Sequence, residues 1–113
     1  MFKLAEKRTV VWPIWIPVPQ DGGKVKRYEA KVEFEKIDQD EFDAIYSNGG
    51  IDVDMLNRVV IGWPEGQFQD ERGENIPPTD EGKERLFKIT YVRNAFVAGY
   101  LQVMQGREAG RKN

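Results

Sequence analysis

A chain of 113 residues with 40% hydrophobic and 32% charged side chains is long enough for one domain with a small core. Its net charge of −2 argues against nucleic acid as the main partner, because phosphate binding needs a basic surplus. Cysteine and histidine are both absent, which excludes disulfides and thiol chemistry and removes most general-base, metal-ligand and triad arrangements.

Met1–Arg8 is mixed in character and reads as a loose arm or a strand extension. The apolar run that follows is short and broken by prolines, so neither a signal peptide nor a membrane span is expected, a bilayer needing about 20 apolar residues. Thr9–Ile37 carries a hairpin signal: β-branched and aromatic residues flank an Asp21-Gly22-Gly23 turn. Pro13, Pro17 and Pro19 all fall at odd positions, so the missing N–H donors lie on one edge and the even N–H groups stay free to pair. That pattern predicts an edge strand with one blunted side. Val10, Trp12, Ile14, Ile16 and Val18 share one face, while Val11 and Trp15 share the other with the prolines. On the returning strand Tyr28, Ala30, Val32 and Phe34 alternate with Glu29, Lys31, Glu33 and Glu35, so one face meets a core and the other meets water. Two readings of Val11 and Trp15 stand open: long charged side chains cover them, or they form a subunit or partner interface.

Asp38 with Glu41 three residues on predicts a capping box, followed by a Phe42, Ile45, Tyr46 stripe and a stop at Asn48-Gly49-Gly50. A second short helix, capped by Asp52, turns Met55, Leu56, Val59 and Val60 inward and ends at Gly62-Trp63-Pro64. Residues 64–78 form a loop without periodicity that carries one aromatic expected to be exposed, Phe68. Thr79 caps a third helix running to about Lys88, with Leu86 and Phe87 inward, and Thr90 interrupts it or caps a fourth. The last helix has the cleanest stripe, Val92, Ala95, Phe96, Gly99, Tyr100, Val103 and Met104, with Gly99 suited to close approach by a neighbour's backbone and Gly106 as the stop. The architecture expected is α+β: residues 9–37 as a hairpin packed on three or four short helices within 38–106, and a frayed basic tail over 107–113, all in one domain.

No catalytic, metal or cofactor site is expected. Asp38, Asp40, Glu41 and Asp43 read as helix caps before they read as cation ligands. Ser47 is the sole serine and has no histidine to activate it. Gly22-Gly23-Lys24 lacks the spacing of a phosphate loop. Lys24, Lys26 and Arg27 make a small basic patch diluted by Asp21 and Glu29. Trp63, beside Gly62 and Pro64, reads as a core plug at a helix end before a stacking platform.

The combination of Ile16-Pro17-Val18-Pro19, Asp21-Gly22-Gly23-Lys24, Phe34 and Glu41-Phe42-Asp43 resembles the tail assembly chaperones of phages and prophages with long, non-contractile tails. Val60-Ile61-Gly62-Trp63, Tyr91-Val92-Arg93, Gly106-Arg107 and Lys112-Asn113 extend the resemblance over most of the chain from about Thr9. It implies a protein of the host bacterial cytoplasm that coats the tape-measure protein, keeps it soluble, helps recruit tail-tube subunits and is absent from the mature virion. It also implies self-association, with spiral assemblies as one arrangement, and in many such proteins a longer frameshifted form. Neither a nucleic acid nor a membrane is an implied partner. On this reading the outer strip of strand one, Val11 and Trp15, makes protomer contacts. Phe68 and the last helix, through Val92, Phe96, Gly99 and Tyr100, complete the expected partner surface. The runner-up is a structural minor tail or head–tail component retained in the virion. A third reading is a small regulator that binds nucleic acid through the Lys24–Arg27 tip and the basic tail, with strongly salt-dependent affinity.

Overall fold

Asp21, Gly22 and Gly23 reverse the chain in three residues, and both glycines hold left-handed backbone angles, φ 85° and 82°, that a side chain would strain. The turn joins strand β1 (Thr9–Gln20) to strand β2 (Lys24–Glu35) in a continuous antiparallel register from Gln20↔Lys24 to Thr9↔Glu35. In the computed structural model, residues 1–4, 8–48 and 52–110 are described, with Asp52 by its backbone alone.

The helices follow: α1 (Gln39–Ser47), α2 (Asp52–Val59), α3 (Asp80–Phe87) and α4 (Thr90–Gln105). Between α2 and α3, Val60–Gly62 forms a third strand, β3, giving a sheet of order β1-β2-β3. The α+β architecture with an N-terminal hairpin on short helices is therefore correct, and β3 is an addition to it. Val60 is buried as expected, but in β3 opposite Phe34 and not in a continuing helix. Three residues are too few to show a period of their own, so the strand was legible only through its pairing with β2.

Strand β1 is the sheet's edge, as its prolines require. The pairing parity also agrees: the Lys36 N–H donates to the Arg8 carbonyl at 2.7 Å, continuing the ladder at the even position just before β1. At odd positions β2 turns its N–H groups the other way. Past the end of short β3, the Lys31 N–H is satisfied by the Gln67 side-chain oxygen at 2.7 Å.

Helix α4 lies across the inner face of β1 and β2. Ile14, Ile16, Ala30, Val32 and Phe34 are buried beneath it with Phe96 and Tyr100. Gly99 permits this approach, because a Cβ there would stand 2.5 Å from Ile14 Cγ2. What comes close is a side chain of β1, not a backbone. The Tyr100 hydroxyl donates to the Glu35 carbonyl at 2.9 Å and accepts from the Ile37 N–H at 3.3 Å, tying the helix to the end of β2. Burial pushes its ionisation upward from the ordinary tyrosine value.

The caps fall as the residue chemistry demands. Asp38 accepts from the Glu41 N–H at 2.9 Å and Thr79 from the Gly82 N–H at 3.1 Å. Glu41 does not close a capping box; its carboxylate pairs with Arg58 on α2. Helix α4 is preceded by Ile89 as its N-cap, without a side-chain cap, and Thr90 is its first residue. The cap expected at Asp52 rests on a side chain outside the described residues; of the Asn48-Gly49-Gly50 stop, Asn48 is the C-cap of α1 and Gly49-Gly50 lies outside the described residues.

Candidate functional site

The long loop is not an open binding loop. Asp70 organises it by accepting from the Arg72 and Glu74 N–H groups at 2.8 and 3.0 Å, and the Ile76 N–H bonds the Phe68 carbonyl at 2.8 Å. Trp63 donates its indole N–H to the Ile76 carbonyl at 2.8 Å, confirming it as a core plug. Phe68, expected to be exposed, is buried instead, stacked on Phe96 with ring centres 5.6 Å apart and edge-on to Trp63 at 5.0 Å. The loop had no period by which that inward turn could be read.

Val92, Phe96, Gly99 and Tyr100 are likewise interior. The stripe that predicted the helix is the stripe that fills the core, so these residues present no face to a partner. Of the residues expected at an interface, Val11 and Trp15 alone remain at the surface.

They stand on the outer side of β1. Val11 is 51% exposed, Pro19 is exposed, and Pro13, Trp15 and Pro17 are half-buried. Their cross-strand neighbours are Glu33 opposite Val11, Lys31 opposite Pro13 and Glu29 opposite Trp15. An apolar strand thus borders a ladder of alternating charge, a surface with a greasy margin and a hydrated middle. Exposed Ile61 on β3 adds an apolar residue at the other edge.

The edge itself is covered by more than prolines. Gly106 takes a left-handed φ of 66° and ends α4, and the chain then returns toward β1. The Trp15 indole N–H donates to the Gly110 carbonyl. Inside the strand, the Trp12 indole N–H donates to the Gln102 side-chain oxygen at 2.9 Å, which also accepts from the Gly110 N–H at 3.4 Å. Two tryptophans on opposite faces therefore hold one segment across the strand edge. Residues 107–110, expected to fray, are a strap; Lys112-Asn113 lies outside the described residues.

The acidic residues near Asp38 separate into structural tasks. Asp38 caps α1, Asp43 accepts from Gln39, and Glu41 joins Glu35 around Arg58. A hydrogen bond from Arg58 holds the Glu35 carboxyl below the usual range, and that bond together with those to Glu41 raises Arg58 itself. Among the described residues no group of three or more metal-ligating side chains converges. No helix among them is long and apolar enough to cross a membrane. No family model matches the chain, and no curated protein or solved structure matches it.

Proposed function

We propose that the protein is a non-catalytic phage tail assembly chaperone that binds the tape-measure protein in the host cytoplasm, helps recruit tail-tube subunits and leaves before the virion is complete. The motif resemblance supplies the role. The observation that supports it best is the outer side of β1, which is apolar and open at Val11 yet stripped of N–H donors at Pro13, Pro17 and Pro19.

That combination suits a transient hold on an aggregation-prone chain. Side chains offer apolar contact, while the blunted edge denies the client a strand to extend. Burial of the α4 stripe moves the client contact from the last helix to this strip. The charged ladder of β2 beside it keeps the unoccupied surface hydrated.

The test is a pull-down of tagged protein from phage-producing cells, with mass spectrometry of the eluate and of purified particles. The expected result is co-elution of the tape-measure chain, absence of this protein from particles, and a several-fold loss of client with Val11→Glu. Presence in particles at fixed stoichiometry would make it a structural tail component and the strip a tail interface.

A further inference from the structure

The two edges of the sheet are protected unequally. On β1 the prolines remove outward donors and the strap covers Trp15. On β2 the outward groups belong to odd-numbered residues, and their protection stops partway along the strand. Short β3 pairs at Glu33 and Phe34, and Gln67 answers the Lys31 N–H. Beyond that point Val25, Arg27 and Glu29 turn their N–H and C=O groups outward, and none of the described residues bonds to them. Every residue from Lys24 to Glu29 is exposed, and the stretch holds neither a proline nor a bulge. Such an edge is a template for another extended chain.

Its charge is as uneven as its hydrogen bonding. Lys24, Lys26 and Arg27 have no acid between them, while Asp21 and Glu29 stand at the two ends. Across the hairpin they face Gln20, Val18 and Pro17, all uncharged. No carboxylate among the described residues pairs with any of the three. Lys26 lies instead over the Tyr28 ring, 5.0 Å from its centre. Because the whole chain carries −2, this basic edge is local to the end of the hairpin.

We propose that β2 from Val25 to Glu29 is a docking edge for an extended acidic segment of a different protein, which adds as a further strand beyond Gln67. The main chain of Val25, Arg27 and Glu29 supplies the ladder bonds, and Lys24, Lys26 and Arg27 select acidic side chains. The same chemistry disfavours other occupants. A second copy meeting it edge to edge brings one basic stretch against another, and like charges repel. A phosphate backbone offers acceptors only and leaves the three carbonyls unmatched, whereas a peptide strand offers donors and acceptors together. This edge lies across the hairpin from the apolar strip of β1 and needs no part of it.

The probe is a soluble peptide of alternating glutamate and valine, added to labelled full-length protein while amide hydrogen exchange is followed by NMR. The Val25, Arg27 and Glu29 amides should exchange freely in the protein alone and slow at least about tenfold with the peptide. A peptide of alternating lysine and valine should not bind. Two variants, with folding checked by circular dichroism, separate the charge from the ladder. Arg27→Val removes the cation and keeps the N–H, so the Val25 and Glu29 amides should still slow. Arg27→Pro removes both, at an outward position opposite Pro17 where the ladder to β1 loses no donor. It should bind the peptide at least about tenfold more weakly than Arg27→Val, the equivalent of one lost strand bond. No binding, binding that leaves the three amides exchanging freely, or equal affinity of the two variants overturns the proposal. So does slow exchange in the protein alone that quickens on dilution, which would put a second copy at the edge. Oligothymidylate that binds there more tightly than the acidic peptide would overturn it in favour of nucleic acid.

Discussion

On its inner side β1 presents Ile14 and Ile16 to α4, and both are buried; on its outer side it presents Val11 and Trp15, of which one is open and the other rests under a strap. Both sides are apolar in composition, so hydrophobicity does not separate them. What separates them is the partner element. Sixteen residues of helix with a glycine at the crossing can lie flat on one face, and no described element lies flat on the other. An apolar face becomes core when something of matching shape can reach it, and otherwise becomes a surface for another molecule.

Removing the buried side should cost most. Ile14→Ala is expected to lower unfolding free energy by about 3 kcal/mol, against less than about 0.5 kcal/mol for Val11→Ala, measured by urea denaturation. Equal losses would mean that the outer side is covered in the free protein. Gly99→Ala comes next. Helix propensity favours alanine by about 1 kcal/mol, but its Cβ would stand 2.5 Å from Ile14 Cγ2. Overpacking costs about 1–3 kcal/mol, so a net loss is expected. In the double variant Gly99→Ala/Ile14→Ala the losses should fall short of additive, since the obstructing methyl is gone.

Trp15→Phe keeps a ring on the outer side and removes the bond to Gly110, for an expected loss of about 1 kcal/mol. Faster proteolysis after residue 106 would accompany it. Unchanged cleavage would show that the strap is held without Trp15.

The smallest effects concern protons. Glu35 has a folded-state value below its ordinary 4.5, so its contribution is present above that value and is lost as pH falls through the lowered one. The stability gap between wild type and Glu35→Gln should narrow across that acid window and shrink in high salt. Tyr100 has the opposite sign. Its folded value is raised above 10.0, so stability is intact below that pH and declines as pH rises through the raised value. Tyr100→Phe should lack this alkaline component.

Much of the fold was legible in order along the chain. The Asp21-Gly22-Gly23 turn, the odd-numbered prolines, Asp38 and Thr79 each act through bonds or backbone geometry within a few residues, and the period of the α4 stripe shows within a few turns of helix. The interaction surface was legible only in part. Val92, Phe96, Gly99 and Tyr100 had the right period, but a period identifies an apolar face without saying whether it meets the protein or a partner. Phe68 had no period at all.

The local chemistry of the residues determined the hairpin, its blunted edge, the helix caps and the apolar faces, because backbone geometry and alternation act over a few positions. The tertiary structure alone decided that Val60–Gly62 pairs as a strand, that Phe68 turns inward, and that the chain after Gly106 straps Trp15. Each depends on residues far apart in sequence meeting in space, and no short window of sequence contains both partners.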